Sequence, residues 1–213
     1  MRSGNAEPGP RIVLAIDTAT VPGSVALRVE ARTRERALDW RTSFRETAPA
    51  IQDLMGEAGL AWSDLDAIAV PAGPGSFTGL RVGAALALGL SRIAGRPLYG
   101  IPTLAAVAEA FAPVDARRVC ATLDARRGRR YAALYEREGP GRWEIRAGPL
   151  DAEPSALDAL AGESPRVGPD TATDRSLLAG AIARLAVADP ERYRLSSPRG
   201  LELVYARSAV DIQ

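Results

Sequence analysis

The clearest pattern in the chain is a short apolar run that leads through a glycine-rich loop into a long helix of small residues. Residues 66–71 predict a buried strand, and the apolar spacing of residues 78–93 predicts a helix. The loop between them contains Gly73, Gly75, Ser76, Phe77, Thr78 and Gly79. Free backbone N–H groups gather at the positive end of a helix dipole, so this loop is a candidate anion-binding site.

The glycine-rich loop has two interpretations. In the first it cradles a nucleotide phosphate, but Thr78 stands where the dinucleotide motif has its third glycine, and no Gly-Lys-Ser/Thr follows. In the second, Gly75 or Gly79 supplies a positive φ or a close backbone approach, and the Ser76 hydroxyl caps the helix. The spacing favours the second interpretation.

Small residues form a stripe along the predicted helix, where Gly79, Gly83 and Ala87 recur every four residues. Such a stripe allows another helix to approach to on the order of 8 Å. A second predicted helix spans residues 46–58. Its apolar stripe consists of Ile51, Leu54 and Met55. Each stripe either packs in the chain's own core or forms a subunit interface, and the sequence leaves both interpretations open.

The remaining periodic segments predict alternating strands and helices. Residues 11–17 and 23–29 predict a hairpin with a polar turn. The other predicted strands are residues 97–100, 118–125, 131–137 and 143–147, the other helices are residues 103–110, 155–160 and 174–188, and residues 201–207 form an extended segment. Four arginines surround Gly128 in the turn of the second hairpin. They either contact phosphate or are solvated turn charges.

The composition is that of a globular protein. The 213 residues are 46% hydrophobic and 25% charged, enough for one large domain or two small lobes. The net charge is +1, so direct nucleic-acid binding by this chain alone is not favoured. The chain contains no histidine, which excludes Ser-His-Asp and Cys-His peptidase sites and histidine-bearing zinc sites. The single cysteine, Cys120, is expected to be buried and inert.

No targeting signal stands out in the sequence. Residues 1–10 are polar and rich in Gly and Pro, and we expect them to form a mobile tail. No stretch approaches the roughly 18 consecutive apolar residues of a membrane span. We therefore expect a cytoplasmic protein with no membrane contact.

Several motifs resemble those of one known family. The stretch AGPGSFTGLRVG, preceded by IVLAIDTAT and GSVAL and followed by IPTLAAVAEA and LDARRGRRYAALYE, closely resembles the bacterial TsaB (YeaZ) family. The match covers about residues 11–137. Near the C-terminus, LELVYARSAV resembles the family's closing segment more weakly. The resemblance implies an α/β actin/Hsp70-like (ASKHA) fold with an N-terminal lobe at 11–112 and a shortened C-terminal lobe at 113–213.

The resemblance also implies a function. Members of the family act in threonylcarbamoylation of the tRNA adenosine next to the anticodon, as partners of the catalytic homologue TsaD and the ATPase TsaE. We therefore expect a non-catalytic activator subunit with no catalytic residue, metal or cofactor of its own. ATP or ADP is expected only at the complex interface, tRNA is reached through the complex, and the chain forms a homodimer when alone. The family has also carried a peptidase label, and we expect this chain to be an inactive homologue of such a peptidase.

The resemblance bears on individual residues as well. In catalytic members of the superfamily the acidic residue at the position of Asp17 lies near phosphate and Mg²⁺, whereas the alternative is an Asx-type turn. A stand-alone ATP-dependent enzyme would use Asp17 and the glycine-rich loop, but no phosphate-binding lysine accompanies them. Asp124, Arg126 and Gly128 match the family's D-x-R-x-G pattern. The additional candidate phosphate contacts are Arg127, Arg129 and Arg130. The histidine that is common in the family's first helix is missing.

Overall fold

The computed structural model describes residues 9–39, 43–171, 176–197 and 200–204. Three sequence predictions fall partly outside this range. Most of the predicted tail, residues 1–8, the start of the predicted helix at 174 and residues 205–207 of the extended segment are not among the described residues.

Five strands form the first sheet. They are β1 (Ile12–Asp17), β2 (Gly23–Val29), β3 (Arg32–Leu38), β4 (Ala67–Gly73) and β5 (Leu98–Pro102). The order is β3-β2-β1-β4-β5, with β2 antiparallel to β1 and β3, and β4 parallel to β1 and β5. The apolar pattern does not predict β3, because this edge strand has charged residues at most of its positions and only Leu38 is buried.

Four strands form the second sheet. They are β6 (Arg118–Arg126), β7 (Arg129–Gly139), β8 (Arg142–Ala152) and β9 (Arg166–Val167), in the order β8-β7-β6-β9. The predicted hairpin of β6 and β7 is confirmed, but its turn has two residues rather than five because Arg126 pairs with Arg129. The strand predicted at 143–147 extends to Ala152 past a register shift between Ala132 and Leu134 of β7.

Six α-helices and a short 3₁₀ helix at Trp62–Asp64 connect the described strands. The α-helices are α1 (Ser43–Ala58), α2 (Phe77–Ala94), α3 (Thr103–Phe111), α4 (Pro154–Ala161), α5 (Ala179–Ala188) and α6 (Pro190–Tyr193). The first four confirm the predicted helices to within a few residues. The fifth begins at Ala179 rather than near 174, and α6 begins at the proline that ends the apolar pattern.

The first sheet is covered on both faces. One face packs against α1 and α2 through a core that includes Leu14, Ile16 and Leu54. The other face shares a core with α3, α5 and the second sheet, in which Trp143 is the largest fully buried side chain. The two-sheet α/β architecture therefore places the β1–β2 turn, the start of α2 and the β6–β7 hairpin around one cleft.

Candidate functional site

A cleft of about 750 Å³ opens between the two sheets. Residues 19–21 and 75–78 line the wall that belongs to the first sheet. Residues 123–126, with Tyr131 and Asp170, line the opposite wall. The N-terminus of α2 faces the cleft, because its cap Ser76 and its first two residues belong to this lining.

The glycines of the loop permit close backbone approach. A Cβ on Gly79 would overlap the carbonyl of Thr18, and a Cβ on Gly75 would lie 3.0 Å from the carbonyl oxygen of Ala19. Gly73 has φ of 108° and packs against the backbone of Val204. The Ser76 hydroxyl accepts the backbone N–H of Gly79 at 3.3 Å. The structural interpretation of the loop is thus confirmed, and anion binding by Phe77 and Thr78 stays a prediction.

Asp17 is fully buried at the end of β1 and does not line the cleft. Its Oδ1 accepts the backbone N–H groups of Ala19 at 2.8 Å and Thr20 at 3.2 Å, and its Oδ2 accepts the Thr20 hydroxyl. Burial raises the pKa of Asp17 from 3.8 to about 6, although these hydrogen bonds oppose the shift. Asp17 therefore forms the Asx-type turn, and its assignment as a phosphate contact is not supported.

A second buried polar group lies near this turn. The Ser24 hydroxyl accepts the backbone N–H of Ala179 at 3.0 Å and donates to Glu35 Oε1 at 3.1 Å. Glu35 Oε1 also accepts the N–H of Gly180 at 2.8 Å, and burial raises the pKa of Glu35. These two side chains therefore cap α5 from the far end of the sequence. No sequence motif signals a cap formed across 145 residues or more.

The arginines of the β6–β7 hairpin divide into two groups. Arg129 pairs with Asp151 at 2.7 Å and with Glu153 at 2.7 Å, and Arg130 pairs with Asp170. These contacts tie the hairpin base to neighbouring segments, so Arg129 and Arg130 are structural rather than free phosphate contacts. Arg127 forms no ion pair with the residues that the structure describes.

Both apolar stripes, for which the sequence left core and interface open, face the chain's own core. Ile51, Leu54 and Met55 of α1 are at most 4% exposed. On α2, Ala87 is fully buried and a Cβ on Gly83 would lie 2.6 Å from Thr18 Oγ1. The core interpretation therefore applies to both stripes, because the β1–β2 turn and the first sheet occupy the space beside them.

The opposite side of α2, here called the outer face, is apolar and open. It consists of Val82, Ala85, Gly89 and Ile93. Ile93 is 77% exposed, Ala85 and Gly89 are exposed, and nothing lies within 4 Å of a Cβ built on Gly89. Only 22% of the 18-residue helix is buried. Contacts with the described residues therefore do not account for this apolar surface.

By length and composition, α2 qualifies as a membrane span, with a mean hydropathy of 1.2 over 18 residues. The expectation that no segment approaches this length was wrong, because both faces of the helix carry small apolar residues. Its inner face nevertheless packs along β4 as a core helix does.

Two further observations concern chemistry outside the cleft lining. Cys120 is fully buried, and burial raises the pKa of its thiol to about 11, so it is not a nucleophile at neutral pH. Among the described residues, no group of three or more Cys, Asp or Glu side chains is arranged to hold a metal ion.

Comparison with known proteins gives one consistent family. The model of the family described as "TsaD: tRNA N6-adenosine threonylcarbamoyltransferase" matches residues 41–162. The chain is 40% identical over 133 residues to the tRNA threonylcarbamoyladenosine biosynthesis protein TsaB of Escherichia coli, a match that covers 62% of this chain and 58% of that protein. It is 40% identical over 128 residues to TsaB of Haemophilus influenzae, covering 59% and 54%. The chain thus spans little more than half the length of these relatives.

Solved structures agree with the sequence matches. YeaZ from Pseudomonas aeruginosa superposes with a TM-score of 0.76 at 29% identity, covering 91% of this chain and 99% of that chain. A second crystal structure, described as an uncharacterized protein with similarity to peptidase YEAZ from the same organism, has a TM-score of 0.76 at 27% identity and covers 92% and 99%.

Proposed function

The chain belongs to the tRNA N6-adenosine threonylcarbamoyltransferase family and, within it, to the TsaB (YeaZ) proteins with their ASKHA-like α/β fold, and on that premise we propose that it is a partner subunit in the synthesis of threonylcarbamoyladenosine in tRNA. In this role it assembles with a TsaD homologue, which performs the transfer, and with the ATPase TsaE. The names of its relatives, TsaB of Escherichia coli and of Haemophilus influenzae, support the pathway.

The outer face of α2 is the observation that carries the proposal. An apolar helix face of this size in contact with water favours association, because burial of apolar surface is the main favourable term in protein assembly. Its small residues, Ala85 and Gly89, would let a partner helix approach closely. We assign this face, rather than the buried glycine stripe, to the contact with the TsaD homologue.

Homodimerisation is part of the same proposal. In the absence of the TsaD homologue, the outer faces of two copies would cover one another. A nucleotide, ATP or ADP, would bind only at the interface of the complex. The chain would work in the cytoplasm and would reach tRNA as a member of the complex.

The rival function, a stand-alone ATP-dependent enzyme or peptidase, has less support. Both carboxylate oxygens of Asp17 accept hydrogen bonds within the β1–β2 turn, so they do not face the cleft. All 27 basic residues of the chain are arginine, so a lysine clamp for phosphate is not available. Because the chain has no histidine, the peptidase similarity in the description of one structural neighbour does not extend to a histidine-dependent mechanism.

A reconstituted modification assay tests the proposed function. It would combine the cognate TsaD and TsaE homologues, a donor-forming synthase, ATP, threonine, bicarbonate and unmodified tRNA, with and without this chain. We expect modification to require the chain, and we expect the chain alone to turn over no ATP. ATP turnover by the chain alone that is abolished by Asp17→Asn, with no effect of the chain on modification, would establish the rival enzyme instead.

A further inference from the structure

The tip of the β6–β7 hairpin holds arginine in an uncommon backbone conformation. Arg127 and Gly128 are the two central residues of the turn, with φ of 53° and 77°, the signs that define a type I′ turn. Arg126 also has a positive φ, of 69°. Asparagine and glycine favour this conformation, whereas a long side chain is strained in it. Arg126 lines the cleft and Arg127 is exposed next to it in the chain, so this strained turn is a candidate for a role at the cleft mouth.

The charges of the hairpin are separated between its base and its tip. At the base, Arg129 and Arg130 are neutralised by acidic partners. At the tip, the guanidinium groups of Arg126 and Arg127 form no ion pair with any residue that the structure describes. Asp124 accepts the backbone N–H of Arg126 at 2.8 Å and so fixes the turn. The result is an anchored turn that presents two free guanidinium groups.

The surroundings of the tip favour RNA over other anions. Arg126 lines the cleft, and the positive end of the α2 dipole faces the cleft from the opposite wall. The aromatic rings of Phe77 and Tyr131 also line the cleft. Single-stranded RNA loops are recognised by this combination, since unstacked bases stack on aromatic rings while arginine contacts the backbone.

We propose that the hairpin tip, with the exposed Arg127 as a central residue of its turn, binds a backbone phosphate of the tRNA substrate within the assembled complex. The inference rests on the proposed function and adds a direct tRNA contact to it. A net charge of +1 gives the isolated chain little affinity for RNA, so the contact acts only where the complex already holds the tRNA.

Three variants of the full chain separate binding from folding. Arg127→Asn removes the charge and creates an Asn-Gly sequence, which suits a type I′ turn, so the variant should be at least as stable as the parent. Arg127→Lys keeps the charge. Arg32→Gln is the matched control, because Arg32 is an exposed arginine on β3 with no ion pair among the described residues.

The measurement is the dissociation constant of each assembled complex for an unmodified tRNA transcript over a range of salt concentrations. We expect Arg127→Asn to weaken binding roughly fivefold at low salt and to reduce the slope of log K against log salt by about 0.7, the value for one single-strand phosphate contact. Arg127→Lys should recover most of the affinity, and Arg32→Gln should leave it unchanged. The affinity of the complex for ADP should be the same in all four.

Three results would overturn the inference. Equal tRNA binding by Arg127→Asn and Arg32→Gln would remove the role of the tip while leaving the proposed function intact. Loss of ADP binding with unchanged tRNA binding would assign the tip to a nucleotide. If the parent chain is not required for modification at all, the proposed function and the inference both fail.

Discussion

The two faces of α2 carry similar small residues but meet different surroundings. On the inner face, a side chain at Gly79 would overlap the Thr18 carbonyl, and one at Gly83 would meet the Thr18 hydroxyl. On the outer face, a side chain at Gly89 would meet nothing within 4 Å. The inner glycines are therefore required by packing within the chain, whereas the outer apolar surface is not explained by packing against the described residues.

This contrast corrects an inference that the sequence invites. A glycine stripe with a period of four suggests close helix approach, but here the approaching group is the chain's own β1–β2 turn. The Thr18 hydroxyl donates to the carbonyl of Gly79 at 2.7 Å, which fastens that turn to the start of α2. Close packing thus identifies the structural face, and the less regular apolar face is left for a partner.

The largest expected effect is at the inner face. Gly79→Ala places a methyl group where the Thr18 carbonyl lies, and backbone atoms on both sides must move to make room. We expect a loss of about 4 kcal/mol in the free energy of unfolding, the range of severe core disruptions. Urea denaturation of the parent and the variant, monitored by circular dichroism, measures this loss in the free energy of unfolding. A variant as stable as the parent would show that this face is not tightly packed.

A smaller effect is expected from the turn that packs on the inner face. The pKa of Asp17 is raised from 3.8 to about 6 in the folded chain, so the native state binds the proton more tightly than the unfolded state. The stability contributed by protonated Asp17 is present below pH 3.8 and is lost as the pH rises through about 6. We therefore expect the parent chain to lose about 2 kcal/mol relative to Asp17→Asn between pH 4 and pH 7.5.

Stability curves of the two proteins against pH measure this difference directly. Parallel curves would mean that the pKa of the buried Asp17 carboxyl group is the same in the folded and the unfolded chain. Groups that do not interact with Asp17 contribute equally to both curves, and the difference between the curves reports on Asp17 together with Glu35, whose charge also raises the pKa of Asp17.

The smallest effect is expected at the outer face. Gly89→Ala adds a methyl group in open space and replaces a poor helix former, so the free energy of unfolding should rise by up to about 1 kcal/mol. Thermal unfolding of the isolated chain measures it. A loss of stability would mean that the outer face is already covered, and the contrast between the two faces would fail.

The sequence predicted most of the fold from its periodicity. The spacing of apolar residues predicts α1, α2, α3 and the two hairpins, and the sequence also predicts Ser76 as the cap of α2, which its hydrogen bond to Gly79 confirms. The edge strand β3 was missed because a strand that buries little shows little apolar alternation. The true start of α5 was missed because its cap comes from Ser24 and Glu35, which are distant in sequence.

The site was less predictable than the fold. Four arginines in one turn look alike in sequence, and only the positions of Asp151, Glu153 and Asp170 show which arginines are neutralised. Likewise, periodicity finds an apolar stripe but not the side of the helix that the rest of the chain covers. Site assignments that depend on long-range neighbours therefore needed the structure.

The affinity of the chain for its TsaD homologue tests the central claim most directly. Ala85→Glu places a charge in the outer face of α2, and Ala159→Glu makes the same change at an exposed alanine of α4 on the second sheet. With both variants shown to be folded by circular dichroism, isothermal titration calorimetry should show binding weakened at least about tenfold by Ala85→Glu, because a bulky charged side chain would stand between the two surfaces and would lose its hydration in the contact. Ala159→Glu should bind as the parent does. Equal binding by both variants would contradict the assignment of the outer face of α2 as the docking surface.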